Sequence, residues 1–147
     1  MIKLRHVGIT VTDMKQSLKL YKDCFGFDVV WDEIEESEFI DNLSNLKNVK
    51  AHTVKLRDGS GGIIELLQYL SHPNSSDSNK VNKINEIGCS HIAITVDNVD
   101  GLYKTLLDIG VEFNWKPTRH PDINVKAKVA FCRDYDGTLI EIVEEVK

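Results

Sequence analysis

Two stretches of this chain repeat each other, and the repeat narrows the possible folds more than any other feature. His6-Val-Gly-Ile-Thr-Val11 returns as His91-Ile-Ala-Ile-Thr-Val96, and Arg57-Asp58-Gly-Ser-Gly-Gly-Ile-Ile-Glu65-Leu returns as Arg133-Asp134-Tyr-Asp-Gly-Thr-Leu-Ile-Glu141-Ile. Each copy places one histidine on an early apolar stretch and one glutamate on a late one. The repeat is roughly 60 to 70 residues long and occurs twice, too long and too few for a solenoid. Two modules paired around a shared cleft are the natural reading.

Hydrophobic period supplies the elements. Residues 4 to 11 are alternating and β-branched, which predicts a strand. Thr12-Asp13 caps a helix that presents Leu18, Tyr21 and Phe25 and ends near Gly26. Residues 27 to 34 return to extended pattern. The acidic stretch 35 to 48 carries Phe39, Ile40, Leu43 and Leu46 at helical intervals and reads as a short helix or ordered loop, positioned to cover a cleft or to line a dimer contact. Strands follow at 50 to 57 and 62 to 69, joined by the glycine-rich turn after Asp58.

The polar segment Ser71 to Asn79 reads as a linker. The order then returns: strand 89 to 96, cap at Asp97-Asn98, helix through Leu102, Leu106 and Ile109, and strands at 111 to 116, 125 to 132 and 138 to 144. Each half is βαβββ, so the expected organisation is a first module over 1–70, a linker over 71–87 and a second module over 88–147. The second copy is shorter between its histidine and its glutamate, and the shortage falls where the first carries its 35–48 insertion.

Composition limits the partners. The chain has 147 residues, 41% of them hydrophobic, enough to bury a core without staples, and a net charge of -5 with no Lys/Arg run, which argues against nucleic acid. No apolar run approaches the roughly 20 residues that a helical membrane span needs. Cys24, Cys89 and Cys132 are odd in number, lack CxxC spacing and follow no leader pattern, so the expectation is reduced thiols in a cytoplasmic protein. Cys89 is expected to be a buried structural thiol.

Alternation along the first strand puts His6, Gly8 and Thr10 on one face and Val7, Ile9 and Val11 on the other; His91, Ala93 and Thr95 share a face in the same way. Small neighbours beside each imidazole leave room for a ligand. Glu65 and Glu141 lie in strands that otherwise read as core, where an unpaired carboxylate is costly. A lone strand histidine is commonly a hydrogen-bonded core residue, and a lone strand glutamate commonly pairs with an arginine. Four such residues at repeated places point instead to one divalent ion held by His6, Glu65, His91 and Glu141. Two imidazoles and two carboxylates suit Zn²⁺, Ni²⁺, Co²⁺, Mn²⁺ or Fe²⁺.

These motifs carry a family resemblance over essentially the whole chain. The His6 opening with its helix ending in Phe25-Gly26, and the Arg133-Asp134-Tyr135-Asp136-Gly137 closing with Glu141, resemble the vicinal oxygen chelate superfamily, which includes glyoxalase I, methylmalonyl-CoA epimerase, extradiol dioxygenases and bleomycin resistance proteins. Tyr135 stands where that family usually has proline, a change expected to touch only the turn. The resemblance implies an α+β fold in which two βαβββ modules form a curved mixed sheet around a metal-binding cleft. It implies His6, Glu65, His91 and Glu141 as ligands and a homodimer.

Four protein ligands on an octahedral ion leave two positions for neighbouring oxygens of a small-molecule substrate. The implied reaction is a lyase or isomerase proton transfer next to a carbonyl through a metal-stabilised enolate, glyoxalase I-like or epimerase-like, with Glu141 the first candidate base and Glu65 the second. The alternatives are an Fe(II) extradiol dioxygenase, which would need an open position that a fourth ligand fills, and a non-catalytic resistance protein that binds a small molecule. His52 shares a face with Val54 and Leu56 and reads as a packed core histidine. His72 and His120 precede prolines and read as surface residues, and Arg119, Lys126 and Lys128 read as solvated charges or holders of an anionic tail.

Overall fold

The structure, a computed structural model, describes residues 1–74, 83–122 and 124–146. The chain divides into two compact units, Met1–Asp77 and Ser78–Lys147. The expected linker 71–87 lies partly outside the described residues, over 75–82.

In the first unit, β1 (Val7–Thr10) leads into α1 (Met14–Leu18), whose N-cap Asp13 accepts from the Gln16 amide at 3.0 Å. The helix continues as a π-helical turn over Lys19–Cys24, closed by Phe25 N–H donating to the Leu20 carbonyl at 3.0 Å, and ends at Gly26 with φ 75°. Three more strands follow, β2 (Asp28–Glu35), β3 (Ala51–Arg57) and β4 (Ile63–Tyr69). The sheet order is β1-β4-β3-β2, with β1 parallel to β4 and the remaining neighbours antiparallel.

Between β2 and β3 the insertion forms α2 (Glu38–Ser44), capped by Ser37 and stopped by left-handed Asn45. Asp41 ties its far end back by accepting from the Asn48 and Val49 amides at 2.8 and 2.7 Å. Phe39 and Leu43 are exposed.

The second unit repeats the plan with β5 (Ile92–Thr95), α3 (Val99–Asp108, N-cap Asn98), β6 (Thr118–Arg119), β7 (Ala127–Arg133) and β8 (Leu139–Glu145) in the order β5-β8-β7-β6. The expected strand at 111–116 is reduced to a single bridge between Phe113 and Cys132 followed by the two-residue β6. Asn114 N–H and Arg133 N–H do hydrogen-bond across this stretch, to Phe131 and Glu112, but no continuous ladder forms.

Each core lies between sheet and helix. In the first unit Ile9, Val11, Val54, Leu56 and Leu66 are buried with Met14, Leu20 and Tyr21; in the second Ala130, Cys132, Ile140 and Ile142 are buried with Val99 and Leu106. Tyr21 is buried as expected, but the stripe of the first helix runs through Met14, Ser17 and Leu20, with Leu18 and Phe25 only half-buried. The π turn adds a residue per turn and so alters the phase only beyond Lys19. In α3 Leu106 is buried, Leu102 half-buried and Ile109 exposed.

Two long-range caps are also duplicated. Gln68 on β4 accepts from the Met14 amide at 3.0 Å, and Glu144 on β8 accepts from the Val99 amide at 2.8 Å, so each last strand grips the start of its helix.

Cys89 is exposed, contrary to the buried thiol expected, because it precedes β5 outside the sheet, where its Sγ donates to the His91 carbonyl at 3.6 Å. Cys132 takes the core position instead; burial, then the neighbouring Asp134 charge, pushes its thiol up to about 12.

Candidate functional site

The hairpin turns orient the strands that carry the glutamates. Asp58 Oδ1 accepts from the Ser60 and Gly62 amides at 2.7 and 2.8 Å, and Asp134 Oδ1 accepts from the Asp136 and Thr138 amides at 3.0 and 2.7 Å. Burial alone would raise the Asp58 carboxyl, but these bonds, with the Ser60 hydroxyl, hold it below the ordinary value. A Cβ on Gly62 would stand 2.6 Å from the Asp58 carboxylate, so a side chain there would require that carboxylate to shift; Thr138 holds the equivalent place in the second turn.

Register then sets the glutamates. Glu65 is opposite Gly8, and Glu141 is opposite Ala93. Their other neighbours are Lys55 on β3 and Phe131 on β7. His6 and His91 sit one residue before their strands rather than inside them, and each reaches the glutamate of its own unit. His6 Nε2 lies 3.1 Å from Glu65 Oε2, and His91 Nε2 lies 3.3 Å from Glu141 Oε2. The four residues singled out in the sequence therefore form two equivalent pairs, one in each unit.

These separations fit the donor set of a metal ion. Two ligands each about 2.1 Å from one ion are about 3.0 Å apart at a right angle and about 3.4 Å apart at the tetrahedral angle. Both pairs fall in that interval and also match a hydrogen bond or ion pair between imidazole and carboxylate. Within each unit, among the described residues, no group of three or more His, Cys, Asp and Glu side chains is arranged to hold a metal. Each pair supplies two donors.

The pairs differ in a way the repeat does not display. Lys55 Nζ lies 3.3 Å from Glu65 Oε1 and 5.5 Å from the centre of the Trp31 ring, so both oxygens of Glu65 have partners. In the second unit Phe131 fills the corresponding place and meets the His91 ring edge-to-face at 5.4 Å. Among the described residues Glu141 pairs only with His91, through Oε2. Ser90 Oγ lies 2.7 Å from His91 Nδ1; a proton on Nδ1, donated to that hydroxyl, leaves Nε2 as the lone-pair nitrogen. Lys55, Phe131 and Ser90 were not singled out in the sequence, because strand register brings the first two opposite the glutamates and a local contact brings Ser90 to His91.

The remaining histidines stand apart from these pairs. His52 is half-buried with Nε2 2.7 Å from Asp32 Oδ1, hydrogen-bonded to a carboxylate rather than sealed by packing in the core. His72 is half-buried against Ser71 Oγ, and exposed His120 accepts from the Asp122 amide at 3.1 Å. Arg119 and Lys126 are exposed, whereas Lys128 is not a solvated charge: its ammonium pairs with Asp100 on α3.

Comparison with known proteins adds a family and a fold. Residues 3–142 match the model of the Glyoxalase/Bleomycin resistance protein/Dioxygenase superfamily. The chain is 32% identical over 151 aligned positions to a lactoylglutathione lyase of Schizosaccharomyces pombe, covering 97% of this chain and 47% of that protein, so it spans about half the length of that curated relative. A glyoxalase family protein from Bacillus cereus superposes with a TM-score of 0.89 at 19% identity, over 100% of this chain and 96% of that one. The trypanothione-dependent glyoxalase I of Leishmania major gives 0.68 at 24% identity, over 99% and 88%.

Proposed function

The chain belongs to the Glyoxalase/Bleomycin resistance protein/Dioxygenase superfamily, and from that premise we propose that it is a divalent-metal-dependent lyase of the glyoxalase I type. Its substrate would be a thiol adduct with neighbouring oxygens, and its reaction a proton transfer next to a carbonyl. The observation that carries this reading is the duplicated pairing of imidazole and carboxylate at donor-to-donor separations of 3.1 and 3.3 Å, on the same register positions of both units. Support from outside the chain is its similarity to the lactoylglutathione lyase.

In this reading His6, Glu65, His91 and Glu141 hold one divalent ion, with Zn²⁺, Ni²⁺, Co²⁺, Mn²⁺ and Fe²⁺ all compatible with the donor set. The ion, when bound, supplies Lewis acidity toward two neighbouring substrate oxygens. Glu141 takes the proton from carbon, because its Oε1 has no partner among the described residues whereas both oxygens of Glu65 are engaged. Ser90 holds the His91 ring in its ligating tautomer, and Phe131 walls that ring on one edge. Gly8 and Ala93, opposite the two glutamates, leave room over the sheet. Glu65 keeps a positioning role, steadied by Lys55.

The test is exchange of the carbon-bound proton in deuterated buffer with a 2-oxoaldehyde and glutathione, after chelation and after each ion is returned. Exchange and thioester formation restored by Ni²⁺ or Co²⁺ support the reading. Activity undiminished by exhaustive chelation, or absent with all five ions, overturns it. Exchange confined to an acyl thioester would shift the assignment to an epimerase, and Fe(II)-dependent oxygen uptake with a catechol would shift it to a dioxygenase.

The same reading places the protein in the cytoplasm as a homodimer, supported by three free cysteines and by the apolar Phe39 and Leu43 exposed on α2. No helix of the described residues is long and apolar enough to cross a membrane. Light scattering that returns the mass of one chain would refute the dimer.

A further inference from the structure

The first unit has a second candidate site, on the sheet face opposite the His6–Glu65 pair. His52 lies three residues before Lys55 on β3, and Gln68 three residues after Glu65 on β4, so alternation sends both side chains to the helix face. There they line a cavity of about 480 Å³ with Met14 and Leu18, the three lysines Lys15, Lys19 and Lys22, and the two aspartates Asp13 and Asp23. That volume lies within the usual range of small-ligand sites.

With three lysines against two aspartates the lining carries one positive charge in excess, and the second unit arranges its charges differently at the same place. Its equivalents of Lys15, His52 and Gln68 are Asp100, Lys128 and Glu144. Lys128 is opposite Glu144 on the sheet as His52 is opposite Gln68, and Glu144 caps α3 as Gln68 caps α1. There the Lys128 ammonium pairs with Asp100, so the second unit carries its own anion at this place. In the first unit a lysine occupies the Asp100 position and an amide the Glu144 position.

The two aspartates in the lining offset part of the lysine charge and leave one positive charge in excess. Asp13 Oδ1 is engaged by the Gln16 amide, Asp23 is 3.9 Å from Lys22, and Asp32 is held against His52. Lys15 and Lys19 form no ion pair among the described residues. The walls are already ordered: Gln68 Nε2 donates to the Thr12 carbonyl at 2.9 Å while Oε1 receives the Met14 amide, and Asp32 anchors the His52 ring. The floor is built beside the π turn of the first helix, a feature that recurs at functional sites.

We propose that this cavity binds a small organic phosphate, held by Lys15 and Lys19, where the second unit instead carries its own anion, Asp100. The ammonium groups of Lys15 and Lys19, one helical turn apart and in no ion pair among the described residues, match the two charges of a phosphomonoester dianion, and the apolar Met14 and Leu18 would meet its organic portion. The ligand is distinct from any substrate at the two imidazole–carboxylate pairs, because the sheet separates this cavity from His6 and Glu65.

The experiment follows the His52 ring resonances of the full chain by NMR during titration with phenyl phosphate, inorganic phosphate and succinate, at constant ionic strength and pH. The expected result is saturable shifts with phenyl phosphate at a Kd of about 1 mM or tighter, weaker binding of inorganic phosphate, and at least a tenfold loss of affinity in the Lys15→Ala/Lys19→Ala variant. Both lysines are exposed, so the variant should fold, and its unshifted core resonances would show it. Affinity should be unchanged in His6→Ala, which separates this site from the proposed metal centre. Linear drift that sodium chloride reproduces, undiminished binding in the double-lysine variant, or tighter binding of succinate than of phenyl phosphate would each overturn the proposal.

Discussion

Exchanging each glutamate for its amide should produce two different defects, because the two pairs have different neighbours. In Glu141→Gln the side chain keeps its volume and loses its proton-accepting oxygens. A positioned base contributes about 10²- to 10⁴-fold, so turnover at saturating metal and substrate should fall by that factor, about 3–5 kcal/mol of barrier. In Glu65→Gln the main loss is to the ligand set and to Lys55, whose ammonium would stand 3.3 Å from an amide instead of a carboxylate.

The Lys55 and Glu65 side chains are 30% and 15% exposed, so the pair lies between the surface and buried limits. Its disruption should cost about 1–3 kcal/mol of stability. The metal concentration for half-maximal activity should rise, while turnover at saturating metal falls less than in Glu141→Gln. The assay is initial-rate kinetics across a metal titration for both variants, with urea unfolding of each. If Glu141→Gln stays within tenfold of the parent, or Glu65→Gln loses as much turnover at saturating metal, the division of roles derived from Lys55 and Phe131 is wrong.

Three further outcomes follow from local geometry. Iodoacetamide in native buffer at pH 8 should label exposed Cys89 and leave Cys132, buried and with its thiol pushed up to about 12, unlabelled until the chain is unfolded; native labelling of Cys132 seen by peptide mass spectrometry would contradict this. Asp58 has its folded value held below the ordinary 3.8, so its contribution is present above that pH and is lost as pH falls through the lower folded value; Asp58→Asn should remove this acid-sensitive part of the unfolding curve, and superimposable acid transitions would count against it. Leu66→Ala, at a fully buried position beside Glu65, should cost about 2–5 kcal/mol in urea unfolding, and a loss below about 1 kcal/mol would mean that the core of the first unit is looser than described.

Much of the fold was legible because its signals are local. Alternation around His6 and His91 located β1 and β5, and Asp13 and Asn98 are the N-caps their positions implied. The repeated Arg-Asp turns located the hairpins before both glutamates. The element ends and phases were less legible. The first helix buries Met14, Ser17, Leu20 and Tyr21 and passes into a π turn over Lys19–Cys24, and the strand expected over 111–116 became one bridge plus Thr118–Arg119, because long-range pairing decides whether an extended segment joins a ladder.

By itself the sequence determined that two similar modules each carry a histidine and a glutamate at equivalent places, which the structure sets on a strand for the glutamate and just before one for the histidine. Side-chain alternation and duplication need no knowledge of distant neighbours. Tertiary structure decided the company those residues keep: Lys55 beside Glu65, Phe131 beside Glu141 and His91, Asp32 on His52, and a closed ion pair in one unit where the other has a cavity. Those contacts depend on strand register and on where each helix crosses its sheet, and both are set by hydrogen bonding and burial between segments far apart in the chain.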